Sequence, residues 1–503
     1  MNNEMQAKKA VDAVLGEIPK TATPRTPLSS VLYAVAALGI AFIALKAVLI
    51  DPWYVDFDFD YTSEIFANQL DHDEYIKTSE ARFESFKKWV EAKNFTDSID
   101  LVVLNKEKKY RGAVASRDIS HGDTVLLIPR EYIISAGAVT TGTALDGIPA
   151  TANKLLRKVA HILMKDSRYS HDILALSVLW HRLVGQENTT KFSTYVRSMP
   201  DSVTGLPRYF NDYERSLLEG TVALRRADER DEGILHHYNS MMKDKYVAKS
   251  LAPFTKDEYF WARDMVDTRC FGLKVKGKVY TSMVPFADMP NHALECSLRW
   301  RFSVNDNAFV ATAPCNQRKG SPVTLHYGSK ENTALLANYG FVLDSNENDC
   351  VEVVILLEGA IADEDAEEIV VDDDQIAVSC YLYANPRSQM SKRCLTELQN
   401  YFSHSLDDKL EVYKLIWSSI HTQAKAWVEF FQDPRVIEEL NRRLASKENS
   451  VNIYFAVTAR RSEERVWKVW LELAQKQMKT LLTCKAFVWW EYPSQCIPGN
   501  STE

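Results

Sequence analysis

The stretch Asp288-Met289-Pro290-Asn291-His292 places an acidic residue, a proline and an Asn-His pair within five positions. Proline lacks a backbone N–H and is poorly tolerated inside a helix, so Pro290 favours a turn here. Asp288 and His292 are possible metal ligands, but they would share a face only in a helix, and no third ligand is convincingly placed. The stretch is therefore a poor candidate for a metal site.

Two more motifs follow it, Leu325-His326-Tyr327-Gly328 and Tyr339-Gly340-Phe341. An Asn-His pair alone carries little information, but the three motifs in this order resemble the signature of SET-domain protein methyltransferases. The resemblance implies that the Asn-His strand and the tyrosine-bearing segment cross in a knot-like arrangement. This crossing would hold S-adenosylmethionine beside a narrow channel for the substrate amine.

Other segments narrow the resemblance to one subclass. Leu174-Ala175-Leu176, with Phe192 and Tyr195, resembles the helical insertion of plant Rubisco large-subunit lysine methyltransferases, and residues 452–461 resemble their C-terminal helical substrate-binding domain. The resemblance covers residues 80–490. It implies an α+β protein with a β-rich SET fold, a helical insertion and an all-α C-terminal domain.

The same resemblance implies roles for individual positions. Arg269 would pair with the carboxylate of the cofactor, for which a guanidinium supplies two parallel donors. Phe341 would lie on the adenine side, and Tyr339 would complete the aromatic wall of the acceptor channel. The implied cofactor-binding residues are Tyr110, Arg111, Gly112, Arg269, Asp288, Asn291, His292, Tyr327, Tyr339 and Phe341.

Tyr327 is the implied catalytic residue. Methyl transfer to an amine needs an uncharged nitrogen aligned with the methyl carbon, so proximity and alignment supply most of the catalysis. A neighbouring sulfonium and an apolar channel would lower the pKa of a substrate lysine. A phenol with a pKa of about 10 is a poor base at neutral pH. Tyr327 is therefore expected to orient the amine rather than to abstract its proton.

Residues 111–119 resemble the N-terminal glycine-rich element of the family, whose backbone contacts the cofactor. Its second glycine is present as Gly112, whereas Tyr110 replaces the first. A non-glycine residue must then adopt the backbone shape that the turn requires. This replacement favours an alternative function, in which the chain is a catalytically degenerate SET-fold interaction module.

Two positions bear on the acceptor. The histidine-methylating branch of the subclass favours asparagine two residues after the arginine and tryptophan just before the aspartate, whereas this chain has Phe271 and Ala287. Phe271 offers no hydrogen bond to an imidazole, and Ala287 leaves room for an alkyl amine. Together with Tyr339 they form the implied substrate channel and favour lysine. Protein-histidine methylation is a further alternative.

Composition limits the partners of the protein. A formal net charge of −8 gives no basic face for nucleic acid, whose binding depends on displacing counterions. The eight cysteines show no C-x-x-C pair and no regular disulfide framework, so no structural metal is expected and each is most simply a small buried side chain. These features favour a non-histone protein as substrate.

Residues 28–50 form an apolar run whose only charged side chain is Lys46. At about 1.5 Å per residue, a helix of this length could cross a hydrocarbon core about 30 Å thick. The run therefore predicts a single-pass membrane protein with an N-terminal transmembrane helix. Flanking charges favour a cytosolic N-terminus, whereas the cytosolic supply of S-adenosylmethionine favours a cytosolic catalytic domain, so the side stays open.

The leading hypothesis is an S-adenosylmethionine-dependent protein-lysine N-methyltransferase. An acidic run over 361–375 is expected to form a solvated loop, and helices are expected over 410–431 and 466–482. The expected parts are a tail (1–27), a transmembrane anchor (28–50), a juxtamembrane spacer (51–79), a SET domain (80–355, with an insertion at about 152–260) and a helical substrate-binding domain (376–490).

Overall fold

The computed structural model describes the chain from residue 79 to residue 498, except for 106–109, 137–157, 160–161, 164, 184–191, 253, 359–368, 373–374, 385–393, 395–397, 399–405, 433–449 and 488–495. The expected tail, the apolar run 28–50 and all but the last residue of the expected spacer lie outside the described residues.

Strands and helices alternate in blocks along the chain. The strands are β1 (Ile99–Asn105), β2 (Tyr110–Ala115), β3 (Thr124–Pro129), β4 (Ile134–Ser135), β5 (Phe271–Val275), β6 (Lys278–Met283), β7 (Asn291–His292), β8 (Arg299–Ser303), β9 (Ala308–Thr312), β10 (Pro322–Leu325), β11 (Cys350–Glu358), β12 (Ile369–Asp372), β13 (Gln375–Tyr383), β14 (Cys484–Phe487) and β15 (Cys496–Pro498). The helices are α1 (Ser79–Lys93), α2 (Ser170–Leu183), α3 (Ser193–Ser198), α4 (Asp212–Ser216), α5 (Val222–Met241), α6 (Lys245–Leu251), α7 (Lys256–Asp267), α8 (Asn332–Tyr339), α9 (Leu406–Gln432) and α10 (Val451–Thr483).

Short sheets, rather than one large sheet, build the strand-rich part. Their strand orders are β1-β2-β10-β7, β3-β9-β8 and β4-β6-β5. In β3, Val125, Leu126 and Ile128 are buried, which is the pattern of a strand that packs on a core. The pairing of β10 with strands from two distant parts of the chain makes it the central element for the candidate site.

A helical insertion, α2 to α7, separates β4 from β5. Its last helix, α7, begins with a capping box in which Thr255 and Glu258 satisfy each other's backbone N–H groups. Seven of its twelve residues are buried, including Trp261 and Met265. Because α7 ends at Asp267, this packing fixes the position of Arg269 just before β5.

The C-terminal region is largely helical, as predicted, but it is not all-α. Strand β13 pairs along its whole length with β11. Strand β12 adds to β13, although it lies in the acidic run that was expected to be a loop. Ile369 and Val370 explain this difference, because β-branched residues favour extended backbone despite the acidic neighbours.

A hydrophobic core joins this sheet to the two long helices, α9 and α10. We refer to it as the C-terminal core. It consists of Val351, Val353, Ile355, Val378, Cys380, Leu382, Cys394, Leu398, Ile416, Ile420, Ala424, Val428, Phe431, Val466, Trp467, Trp470 and Ala474. Strand β11, which includes the last residues of the expected SET domain, belongs to this core.

The prediction of a single-pass membrane protein is corrected here. Among the described residues, no helix combines the length and the apolar character that a membrane span requires. The long helices α9 and α10 both carry charged residues along their length. The apolar run 28–50, on which the prediction rested, lies outside the described residues.

Among the cysteines whose side chains the structure describes, four are paired, which the irregular spacing did not predict. Cys296 pairs with Cys315, and Cys380 pairs with Cys394. Their Cα atoms lie 5.7 and 5.2 Å apart, within the usual range for disulfides. The folding of the β7 to β10 segment, rather than a sequence motif, brings the first pair together.

Candidate active site

Strand β10 brings the separate motifs into one place. It runs parallel to β7, with Thr324 opposite Asn291 and Leu325 opposite His292. On its other side it runs antiparallel to β2, where Val323 lies opposite Ala113. The Asn-His pair, the glycine-rich element and the tyrosine motif are thus neighbours in space, although about 180 residues separate the first two in sequence.

Asn291 and Gly112 meet at the edge of this sheet. The side-chain amide of Asn291 donates to the carbonyl of Arg111 over 3.0 Å. A Cβ atom added at Gly112 would lie 2.9 Å from Asn291 Nδ2 and 2.5 Å from Leu104 Cδ1, closer than real Cβ contacts. Gly112 therefore allows the close approach of the backbone to Asn291, and a larger residue would displace the ends of the Asn291 and Leu104 side chains.

His292 and Tyr327 stack on each other. Their ring centroids lie 5.1 Å apart, with 23° between the planes. The backbone N–H of Tyr327 donates to Nδ1 of His292 over 3.2 Å, and the phenol donates to the carbonyl of Pro290 over 2.8 Å. The catalytic candidate is therefore held at both its backbone and its hydroxyl by the Asn-His turn.

Two further aromatic rings surround this pair. Tyr339 lies 5.5 Å from Tyr327 between ring centroids, and Phe341 lies 5.9 Å from His292. Burial raises the pKa of Tyr339 to about 12, and the nearby carboxylate of Asp267 adds to this effect. Tyr339 is therefore a neutral phenol at physiological pH.

Asp288, Arg269 and Tyr195 form a buried polar group. Asp288 Oδ2 accepts from Arg269 Nη1 over 3.0 Å and from the hydroxyl of Tyr195 over 2.8 Å. Burial raises the pKa of Asp288, while the guanidinium of Arg269 opposes the rise. Burial also raises the pKa of Tyr195 well above its usual value, so its hydroxyl remains a donor.

Several buried polar atoms of this site have no hydrogen-bond partner within the described part of the chain. They are Arg269 Nε, Asp288 Oδ1 and His292 Nε2. Buried polar atoms are normally paired, so their clustering here is typical of a surface that binds a polar ligand. Arg269 still presents a donor for an anionic group, and His292 presents a ring nitrogen.

The expected channel residues pack among aromatic rings. Phe271 makes edge contacts with Trp300 and Phe309, at centroid distances of 5.1 and 5.3 Å. Ala287 is fully buried beside Asp288. This part of the site is apolar, in contrast to the polar group formed by Asp288.

The first residues of the glycine-rich element have other surroundings. Tyr110 begins β2, where its backbone lies opposite Asn105. The guanidinium of Arg111 donates to the carbonyls of Ser198 and Ser79, and it lies 4.4 Å from the ring centroid of Phe83. The Arg111 side chain therefore holds α1 and α3 together, while its carbonyl accepts from Asn291.

Sequence reasoning missed two groups of contacts. Tyr195 was noted only as part of the insertion, yet its hydroxyl binds the carboxylate of Asp288. Trp300 and Phe309 lie on β8 and β9 and were not expected beside Phe271. No local motif marks these residues, because only the packing of the insertion and of the sheets brings them to the site.

Comparisons with solved structures identify this architecture. The chain is similar to the crystal structure of the SET domain of LSMT bound to lysine and AdoHcy, with a TM-score of 0.60, at 17% identity over 80% of this chain and 92% of that chain. The chain has the SET fold. The structure titled as Rubisco LSMT bound to AdoMet gives a TM-score of 0.56, at 17% identity over 81% and 94% of the two chains.

Curated relatives point the same way. The chain is 26% identical to the ribosomal lysine N-methyltransferase set10 of Schizosaccharomyces pombe, over 60% of this chain and 55% of that protein. It is 24% identical to the chloroplastic Rubisco large-subunit N-methyltransferase of Nicotiana tabacum, over 48% of each. It is 22% identical to the actin-histidine N-methyltransferase of Gallus gallus, over 54% of this chain and 44% of that protein.

The chain spans about half the length of the curated relatives it matches. No family model matches it. The predicted resemblance to SET-domain methyltransferases of the Rubisco large-subunit subclass is confirmed by these relatives and by the fold.

Proposed function

We propose that the chain is an S-adenosylmethionine-dependent protein-lysine N-methyltransferase that acts on a non-histone protein. The observation that carries the proposal is the parallel pairing of β7 with β10, which sets His292 against Tyr327 and leaves Asp288 and Arg269 beside them. The helical region within 376–490 is proposed to bind the protein substrate, by its resemblance to the subclass.

The residues at the site suit a zwitterionic cofactor with an adenine ring. Arg269 Nε is a buried donor that could pair with a carboxylate, and Phe341 offers an apolar face for the purine. Asp288 Oδ1 and His292 Nε2 are further polar groups at the same place. When bound, S-adenosylmethionine would supply an electrophilic methyl group on a sulfonium.

The phenols would position the acceptor amine. Because the hydroxyl of Tyr327 donates to Pro290, it can meet an amine only as a hydrogen-bond acceptor. Such a contact would aim the lone pair of the neutral amine at the methyl group of the cofactor. A protonated ammonium has no lone pair and could not react. Tyr339 stays neutral, so this part of the aromatic wall adds no negative charge that would hold the amine in its protonated form.

The apolar surroundings of Phe271 support a lysine acceptor. The Phe271 side chain itself offers no hydrogen bond to orient an imidazole, and it packs against the rings of Trp300 and Phe309. The similarity to actin-histidine N-methyltransferases favours histidine methylation as the second candidate. Mass spectrometry of a modified substrate peptide would separate the two, because the methyl group is assigned to one side chain.

The test of activity is incorporation of label from S-adenosylmethionine into proteins of a lysate by the purified full chain. Tyr327→Phe should lower incorporation by about 100-fold, since a small misplacement of the amine costs about that much. Tyr280→Phe, on β6, is the matched control and should leave incorporation unchanged. Equal activity of the wild type and Tyr327→Phe would exclude the proposed role of Tyr327.

A catalytically degenerate interaction module would differ in cofactor binding. Titration calorimetry of the folded full chain with S-adenosylhomocysteine should show saturable binding that Arg269→Lys weakens, because lysine cannot make a bidentate pair. Absence of binding to the folded wild type would overturn the proposed methyltransferase activity.

A further inference from the structure

Three side chains outside the proposed cofactor-binding set lie in successive contact: a carboxylate, an imidazole and a thiol. Asp267 ends α7, His171 lies in the first turn of α2, and Cys270 follows Arg269. Asp267 Oδ1 lies 2.7 Å from His171 Nδ1, and His171 Nε2 lies 4.0 Å from Cys270 Sγ. Each ring nitrogen of His171 therefore has its own partner.

The carboxylate end of this line is held in its ionised form. Arg230 Nη2 lies 3.1 Å from Asp267 Oδ2, and Arg263 Nη2 lies 3.5 Å from Oδ1. Burial opposes ionisation, but Arg263, His171 and Arg230 hold the pKa of Asp267 well below its usual value. Asp267 can therefore fix the ring orientation of His171.

His171 is a cation in this position. Burial opposes its charge, but the hydrogen bonds to Asp267 and Cys270 raise the pKa of His171 to about 10. Both ring nitrogens then carry protons, so Nε2–H points its positive charge at the sulfur of Cys270. An imidazole within hydrogen-bonding reach of a cysteine sulfur is the arrangement that activates a thiol as a nucleophile.

The two free cysteines among the described residues differ in surroundings. Cys270 is partly exposed, whereas Cys350 is buried on β11. Burial raises the pKa of the Cys350 thiol to about 12, and the charge of Glu331 adds to the rise. Cys350 is thus an inert thiol in the same chain, and it serves as an internal reference for Cys270.

Cys270 also lies next to the candidate active site. Its neighbours in sequence are Arg269, which binds Asp288, and Phe271, which forms part of the proposed acceptor channel. It also lies close enough to Tyr339 and Tyr195, two aromatic residues of the site, to influence the pKa of each phenol. A group added to the sulfur would therefore lie beside the acceptor wall.

We propose that Cys270 is a nucleophilic modification site for hydroperoxides, with His171 as the general acid and Asp267 as the residue that positions it. The thiolate attacks one peroxide oxygen, an S–O bond forms and the O–O bond breaks. With hydrogen peroxide, the second oxygen leaves as hydroxide. This hydroxide takes the Nε2 proton of His171 and becomes water. The sulfur is oxidised to a sulfenic acid, and the peroxide is reduced.

Sulfenic acid formation is the direct readout. The purified full chain is treated with hydrogen peroxide and trapped with a cyclic 1,3-diketone, and the Cys270 and Cys350 peptides are quantified by mass spectrometry. Cys270 should be trapped at least about tenfold faster than both Cys350 and free N-acetylcysteine. His171→Gln should slow trapping at Cys270 by about tenfold, because the cation is lost.

Cys350 reports whether the variant is folded, since unfolding would expose it and speed its trapping. The comparison of wild-type Cys270 with N-acetylcysteine needs no variant. Trapping of wild-type Cys270 no faster than N-acetylcysteine, or an unchanged Cys270 rate in a folded His171→Gln protein, would overturn the proposal. The trapping experiment does not depend on methyltransferase activity, so a negative result here would not count against the proposed function. Only the expected effect of the modification on the acceptor wall rests on the proposed function.

Discussion

Two buried regions of this chain are built on opposite principles. The Asp288 centre, formed by Tyr195, Arg269, Asp288, His292 and Tyr327, is held by hydrogen bonds and one ion pair. The C-terminal core is held by apolar contacts, among them the stacked rings of Trp427 and Trp467, 6.0 Å apart at 10°. The hydrogen bonds of the first region orient its side chains, whereas the second region is stabilised by close packing of apolar side chains.

The difference predicts different tolerance to substitution. A buried ion pair loses its stabilisation when one partner is removed, because the other charge remains buried and uncompensated. A hydrophobic core accepts side chains of similar volume with smaller losses. The geometry of the Asp288 centre therefore depends on a few polar atoms. The stabilisation of the C-terminal core is distributed over many apolar side chains.

Asp288→Ala should have the largest effect of a single substitution. Removing the carboxylate leaves Arg269 buried without its partner, so we expect a loss of about 3–5 kcal/mol in the free energy of unfolding. The control is Glu229→Ala, whose 56% exposed side chain pairs with the 52% exposed Arg225 and should cost about 1 kcal/mol or less. Urea unfolding measures the loss of stability in each variant. Equal losses would contradict the expectation that a buried ion pair is more sensitive to loss of one partner than an exposed one.

Trp467→Ala should cost a similar amount, about 3–5 kcal/mol, by leaving a cavity in the C-terminal core. Unlike Asp288→Ala, it should leave the affinity of the folded protein for S-adenosylhomocysteine unchanged. Ile420→Leu, in the same core, keeps the volume and should cost less than about 1.5 kcal/mol. A large change in cofactor affinity for Trp467→Ala would show that the two regions are coupled.

The contact of Glu463, on α10, with the helical insertion can be tested through the pH dependence of stability. Its buried carboxylate accepts from the backbone N–H groups of Val222 and Ala223, at the start of α5. Burial raises the pKa of Glu463 to about 7, from 4.5. Between these values the unfolded chain releases a proton that the folded chain keeps, so stability falls as pH rises.

The stability of the wild type relative to Glu463→Gln should therefore decrease by up to about 3 kcal/mol between pH 4.5 and pH 7, and then level off. Urea unfolding of both proteins at several pH values gives this difference, from which the other titrating groups cancel. A difference that does not vary with pH would show that Glu463 is not protonated in the folded state.

Gly112→Ala should have the smallest effect on stability and a specific effect on the site. The added Cβ would crowd Asn291 Nδ2 and Leu104 Cδ1, at a cost of about 1–3 kcal/mol. We expect weaker binding of S-adenosylhomocysteine, measured by calorimetry. Gly233→Ala, in α5, meets nothing within 4 Å and should stabilise the helix by about 0.5–1 kcal/mol without changing that affinity.

Local patterns predicted some elements closely. Helix α9 covers the expected 410–431 and extends from Leu406 to Gln432. Helix α10, in contrast, begins at Val451, well before the expected 466. Its first half buries Arg460, Ser462 and Glu463, so the polar side chains hide the helical pattern from sequence reasoning.

The sequence by itself determined the resemblance to SET-domain methyltransferases, because Asn291, His292, Tyr327 and Phe341 occur in short motifs that can be read locally. Only the tertiary structure decided which groups meet. Tyr195 reaches Asp288, and His171 lies between Asp267 and Cys270, across about 90 to 100 residues of chain. The physical reason is that hydrogen-bond partners of buried groups are selected by packing, and packing leaves no fixed spacing in the sequence.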